Sequence, residues 1–423
     1  MDGRDNAPKV GRLLRGRTWY ARPVAALLIG YALLMCWAGW ARTDAETGRA
    51  RVLYVGQWPY GGRPQYLLED PLIQTSVIPY HDFGAQLEQI RRYMNLRYPR
   101  SRQQMADQYD MVIYSNIQLL AFTDKQIQMV SDSVWAEGLG YMMTGGHTSF
   151  GGTTGSYPSW AGTSIGSILP VEPIEGRYLK PYYFRLVVSD PTNELIASLP
   201  WSKIPPFPYS LNAVTMREGG HLLAEADVKE RWPILAYGEF GNGRVLAFMT
   251  PFEVLDNPNM EEWGFFDDMC ANFVYFSVRL KLPSDPLLAH ELRRLLRIYH
   301  DERLLFLSMV EFVDRFGVNT AKLEDWLDEI EAVRTSSYAA YVSQDFDRSS
   351  ELMKQALDMM KAGQDMALDV KNAALFWVFV VEWVVVTATL MLTGSLVWTL
   401  MVRRMLYRET LTTRLAGGFE RPR

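Results

Sequence analysis

Leu139-Gly-Tyr-Met-Met-Thr-Gly-Gly-His-Thr-Ser-Phe-Gly151 is the stretch on which the reading of this chain turns. A short apolar run stops at Gly145-Gly146, and polar residues follow. That pattern predicts a buried parallel strand ending in a tight turn. In open α/β sheets, chemistry gathers at the carboxyl ends of such strands. Position 147 therefore weighs on whether the chain is an enzyme, and it holds a histidine rather than a nucleophilic cysteine or serine.

The flanking pieces extend the pattern. Tyr109 to Asn116 reads as a strand and Thr123 to Ala136 as a helix. Thr123 and Gln126 form a capping-box pair that opens this helix. Ile127, Val130 and Val134 share one of its faces, and Gly138 can end it. Arg51-Val-Leu-Tyr-Val-Gly56 is expected as the first strand, in the sheet centre. Asp82 to Tyr98 reads as a helix with Phe83, Leu87, Ile90, Met94 and Leu96 as its apolar set, and Tyr183 to Ser189 reads as a strand. Pro205-Pro206-Phe207-Pro208 marks a surface loop. Ile234 to Phe240 and Val245 to Thr250 flank Gly241-Asn242-Gly243, a hairpin signal.

Taken in order, these pieces resemble the glutamine amidotransferase-like family, a branch of the class I amidotransferase superfamily. They include Gly162-Thr163 leading to Ile168-Leu-Pro-Val171, the late hairpin, and Trp263 followed by Asn272-Phe-Val-Tyr275. The resemblance covers roughly residues 50–281 and implies a flavodoxin-like α/β fold. Active members place a cysteine in a G-x-C-x-G elbow, with a later histidine and glutamate. Here Gly145-Gly146-His147-Thr148-Ser149 stands at that elbow, with His147 in the cysteine position. A covalent glutaminyl intermediate needs an activated nucleophile. The only cysteines are Cys36, in an apolar N-terminal run, and Cys270, in the presumed closing helix. The resemblance therefore brings the fold without the glutaminase.

Composition narrows the classes. A formal charge of −5 over 423 residues argues against a general nucleic-acid binder. Two cysteines give neither a disulfide framework nor metal-ligand spacing. The five histidines are scattered, and no phosphate loop is present. No metal and no cofactor is expected.

The ends of the chain govern its location. Residues 1–22 are basic, with Arg4, Lys9, Arg12, Arg15, Arg17 and Arg22 ahead of an apolar run over 23–41. That run is a signal peptide or an uncleaved signal anchor, and Gly39-Trp40-Ala41 offers small residues for cleavage. Ala373 to Val402 contains one charge, Glu382, and then meets Arg403, Arg404 and Arg408. A spanning helix needs ~20 apolar residues, which Trp383 to Val402 supplies. The arginines place the tail, 403–423, in the cytoplasm. Trp377, Glu382 and Trp383 then fall at the outer interface. The expected layout is an α/β domain over 50–281, a helical stalk over 286–372 and a transmembrane helix over 373–402. The main domain lies outside the cytoplasmic membrane.

Lys281-Leu-Pro-Ser-Asp-Pro286 marks the start of the stalk. Its expected helices are Leu287 to Phe316, Ala321 to Tyr341, and a third from Asp347. Leu352, Ala356, Met359, Gly363, Met366 and Val370 form a heptad seam on the third, continuing through Ala373, Trp377 and Val380. The seam serves either packing within the stalk or a homo-oligomer.

The candidate ligand-binding residues are Gly145, Gly146, His147, Thr148 and Ser149. Exposed amides of a glycine turn can hold a ligand, and the same residues can instead hydrogen-bond their neighbours. Trp160, Tyr157 and Trp58 can stack on a sugar or close a core. Asp82, Glu137 and Glu172 are carboxylates with no pairing in their spacing. Two function classes follow. One is a membrane-anchored, non-catalytic binding or scaffold protein with protein partners in an envelope assembly. The other is a hydrolase or transferase using a non-standard site around His147.

Overall fold

The computed structural model describes residues 42–44, 46–57, 65–80, 87–180, 183–208, 210–252, 263–315 and 317–416. The expected segments 1–22 and 23–41 lie outside them, as do Trp58, Asp82 and 417–423. In chain order the first elements are β1 (Ala50–Gln57), α1 (Gln65–Glu69), β2 (Ile73–Tyr80), α2 (Leu87–Arg97), α3 (Arg102–Gln108), β3 (Met111–Ser115), α4 (Asp124–Glu137) and β4 (Gly140–Thr144). There follow α5 (Ser164–Ile168), β5 (Val171–Leu179), β6 (Tyr183–Phe184), β7 (Leu186–Val188), α6 (Glu194–Ala197), β8 (Phe207–Pro208) and β9 (Leu211–Met216). The rest are β10 (His221–Ala226), β11 (Pro233–Phe240), β12 (Gly243–Phe248), α7 (Phe266–Ser277), α8 (Pro286–Asp314), α9 (Ala321–Val342) and α10 (Phe346–Ala416).

One eight-stranded mixed sheet organises the α/β region, in the order β2-β1-β3-β4-β12-β11-β10-β7. The first five of these are parallel neighbours. The remaining three are added antiparallel through the Gly241-Asn242 hairpin. β3 and β4 are buried at every position, as strands covered on both faces must be. β1 stands second from the edge, not in the centre, because β2 pairs outside it. Pro79 lies in β2, and proline is tolerated on an edge strand because it donates no ladder bond there. The segment 183–189 forms two short strands in different sheets, not one.

Helix signals hold where packing agrees with them. Thr123 and Gln126 make the capping box of α4, and Gly138 closes it with φ +74°. In α2 the buried residues are Ile90 and Met94, whereas Leu96 is 78% exposed.

A buried polar cluster lies within the first compact unit and draws on Asp70, α7, the first turns of α8 up to Arg293, and Tyr341. Asp70, between α1 and β2, accepts from Tyr275 Oη (2.7 and 2.8 Å), Tyr341 Oη (2.9 Å), Arg293 Nε (3.2 Å) and Leu72 N (2.9 Å). Arg293 also donates to Asp268 Oδ1 (2.7 Å) and Asn272 Oδ1 (3.2 Å). His290 Nδ1 lies 2.7 Å from the other Asp268 oxygen. Burial, and then the Asp70 carboxylate, pushes the Tyr275 phenol well above its ordinary value, so it remains a neutral donor. Burial alone would raise Asp268. The His290 hydrogen bond and the Arg293 charge outweigh it and hold the carboxyl below its ordinary 3.8. The first compact unit accordingly reaches Arg293 and takes in Tyr341–Phe346.

The second unit comprises Arg294–Ala340 and the chain from Asp347 onward, and it is helical. Its buried stripe on α10 is Met353, Ala356, Met360, Gly363, Ala367 and Ala374. This is a heptad seam turned by one residue from the expected one, keeping Ala356 and Gly363. The small residues decide the rotation. A side chain at Gly363 would meet Trp326 at 2.7 Å, and Trp326 Nε1 donates to Met359 O (2.9 Å). Met366 is 37% exposed, and Trp377 is also exposed. α10 runs unbroken for 71 residues. Among the described residues, Phe346–Arg408 is the one helix long and apolar enough to cross a membrane, and its apolar stretch is exposed.

Two outcomes are expected from this packing. Met360→Asp places an uncompensated charge in the seam and should lower stability by on the order of 3–5 kcal/mol. Met366→Asp should change it by within about 0.5 kcal/mol. Thermal unfolding of the full chain in detergent, followed by circular dichroism, compares them. Equal losses would return the seam to its expected register.

The cluster gives the second outcome. Arg293→Met leaves two buried carboxylates without their cation and should cost about 3–5 kcal/mol. Because Asp268 has a depressed folded value, its contribution is full above about pH 3.8 and is lost as pH falls through that folded value. Acid titration of unfolding should show a shallower slope in Asp268→Asn than in the parent. An unchanged slope would remove Asp268 from the acid response.

Candidate functional site

Strand register builds the site first. Ser115 and Thr144 stand opposite each other at the carboxyl ends of β3 and β4, and Thr144 Oγ1 donates to Ser115 Oγ at 2.9 Å. The next residue of each strand enters the turn. Asn116 has φ +45°, a conformation that asparagine tolerates better than most residues. Gly145 N donates to Phe248 O (2.7 Å) and Thr250 O (3.0 Å), bringing the backbone after β12 so close that no Cβ fits. Gly146 has φ +140°, and a side chain there would collide with Asn116.

Two buried asparagines then fix the turn. Asn212, on β9, accepts from Gly146 N (2.8 Å) and donates to Gly146 O (3.0 Å) and Ser149 O (3.2 Å). Asn116 Oδ1 accepts from Thr148 N (3.1 Å) and Thr148 Oγ1 (2.9 Å). Ser149 N donates to Gly146 O (3.1 Å), and Trp160 Nε1 donates to Thr148 O (3.0 Å). The amides of Gly145, Gly146, Thr148 and Ser149 are thus all engaged within the protein. The candidate residues come together as one turn, held by hydrogen bonds to their neighbours.

His147 is the half-buried member of the turn, while Gly145, Gly146, Thr148 and Ser149 are buried. Its Nδ1 lies 3.5 Å from Asn116 Nδ2, and its ring meets Tyr157 edge-on at 5.2 Å. An imidazole here can exchange a proton or bind a polar group. Phe150, fully buried at φ +50°, follows in a left-handed conformation that a bulky residue adopts only under constraint.

The other expected candidates lie elsewhere. Cys270 is 2% exposed on α7. Glu137 ends α4 ahead of β4, at the opposite end of that strand from the turn, and pairs with Arg102 at 3.4 Å. Glu172 is exposed on β5 and pairs with Arg217 at 3.3 Å. Trp160 is fully buried against Tyr114 and Phe122 and closes the core. Among the described residues no group of three or more His, Cys, Asp or Glu side chains could hold a metal ion. Sequence reasoning missed Asn116 and Asn212. The first follows directly on a strand end and could have been suspected. The second reaches the turn from a strand 66 residues away and carries no local signal.

Residues 97–277 match the model of the family described as "Putative glutamine amidotransferase". The amidotransferase-like character expected of the α/β region is borne out over that span. No curated protein matches the chain. Among solved structures, a cytoplasmic protein from Salmonella typhimurium LT2 is 20% identical, with 54% of this chain and 99% of that one covered at TM-score 0.44. A second Salmonella typhimurium cytoplasmic protein is 19% identical, covering 53% and 98% at TM-score 0.44. A β-galactosidase from Rahnella sp. R3 is 15% identical, covering 64% and 36% at TM-score 0.34.

Asn212→Ala removes one acceptor and one donor shared by three backbone groups of the turn. Leaving them unpaired should cost about 1–3 kcal/mol, and His147→Ala should cost less. Chemical denaturation of both variants measures the difference. A neutral Asn212→Ala would show that water replaces the amide and that the turn does not depend on it.

Proposed function

We propose that this chain is a membrane-anchored, non-catalytic binding or scaffold protein. It carries an amidotransferase-like α/β domain on a helical stalk outside the cytoplasmic membrane. The observation that carries the non-catalytic part is His147 at the elbow position, within a turn whose neighbouring amides are engaged by Asn116 and Asn212. The order β2-β1-β3-β4-β12 of the parallel strands supports a flavodoxin-like reading of the sheet.

The anchor rests on α10. Large apolar side chains from Leu375 to Val402 are exposed, including Leu390, Leu392, Trp398 and Met401. Water does not tolerate a patch of that extent on an isolated helix, and a bilayer does. Arg403, Arg404 and Arg408 favour a cytoplasmic position for the end of the helix. The stalk and the α/β domain then lie on the other side, where partners of an envelope assembly can reach them. The alternative, a hydrolase or transferase around His147, is favoured by the half-buried imidazole beside Tyr157.

Purified full-length protein should release no ammonia from glutamine. Release that disappears in His147→Ala or Cys270→Ser would overturn the non-catalytic reading. Single reporters, Ser336→Cys on the stalk and Tyr407→Cys near the arginines, should label from opposite sides when Cys36 and Cys270 are replaced by serine. Labelling from one side would refute the topology.

A further inference from the structure

The three-helix packing of the second unit stops partway along α10. Lys371 Nζ lies 5.4 Å from the centre of the Phe312 ring, near the end of α8, and Ala374 is the last buried residue of the seam. Where the cover ends there is a groove of about 570 Å³, lined by Val318 of the α8–α9 turn and by Val370, Ala374, Trp377, Val381 and Glu382 of α10. All but one of these side chains are apolar or aromatic, and the exception is a carboxylate. Glu382 is the single charge between Lys371 and Arg403.

We infer that this groove binds the ammonium headgroup of a phospholipid, with the carboxylate of Glu382 facing the ammonium and the ring of Trp377 beside it. The inference rests on the membrane-spanning reading of α10. Trp383 to Val402 covers the hydrocarbon thickness at 1.5 Å per residue, so Glu382 sits at the headgroup boundary. A carboxylate among apolar side chains needs a cation. A primary or quaternary ammonium supplies one and is also attracted to an indole face. The shape favours a lipid over a second helix. Val318 bounds the groove at the turn where α8 ends and α9 begins, so a partner helix lying in it would run into that turn. A headgroup ends there, and its acyl chain follows the exposed apolar surface of α10.

The full-length chain is reconstituted in nanodiscs of equal parts phosphatidylethanolamine, phosphatidylcholine and phosphatidylglycerol. It is then re-extracted, and retained lipid is read by native mass spectrometry. The ammonium lipids should be retained about fivefold over phosphatidylglycerol, which carries the phosphate and chains without the cation. Glu382→Gln should abolish that preference. Trp377→Leu should reduce it while total retained lipid stays constant. Equal retention of phosphatidylglycerol, or an unchanged preference in Glu382→Gln, overturns the inference. So does a Val381→Cys cross-link to a second copy that displaces the lipid. Alkaline washing separates the two levels. A chain that washes off the membrane refutes the span itself, whereas a chain that stays but shows no selectivity refutes the groove alone.

Discussion

Arg293 sets the constraint on which the first compact unit depends. A guanidinium taken out of water must find partners for its donors, and no single element of this chain can supply them. Asp70 comes from the connection before β2, Asp268 and Asn272 from α7, and Tyr341 from the end of α9. The carboxylates are satisfied in return by the two phenols, His290 and a backbone amide. Such a cluster adds less net stability than its short distances suggest, because desolvation opposes the attraction. Its effect is on specificity. Residues far apart in sequence must arrive together, or buried charge is left uncompensated.

The glycine turn follows the same logic with neutral groups. Parallel strands end in register, so Ser115, Thr144 and the backbone after β12 converge at one edge of the sheet. Unpaired amides there would be costly. Asn116 and Asn212 engage them from two directions and fix the course of the turn. His147 keeps partial exposure and the aromatic contact of Tyr157.

α10 joins two environments in one element. Its first part is paired by small residues, where Gly363 admits Trp326 and Ala356, Ala367 and Ala374 leave room for neighbours. Its later part is apolar all round and has no protein cover among the described residues. The change of surface without any break in the helix is what makes the end of the seam a distinct place, with Glu382 just beyond it.

The sequence alone determined whatever depends on local periodicity and backbone chemistry. The capping box at Thr123 and Gln126, the αL stop at Gly138, the two-residue hairpin at Gly241-Asn242, the three C-terminal helices and the long apolar stretch of the last were all legible, because neighbours along the chain produce them. The histidine at position 147 was legible too. Tertiary structure decided what depends on distant partners. It moved β1 off the centre by adding β2, split 183–189 between two sheets, and turned the α10 seam from Met359 and Met366 to Met360 and Ala367. It also brought Asn212 to the turn and Asp70 to Arg293. The physical reason is common to all of these. A seven-residue spacing leaves adjacent faces of a helix nearly equivalent until a particular Trp326 packs against one of them. A buried polar side chain, likewise, can be assigned a partner only when the whole chain has folded around it.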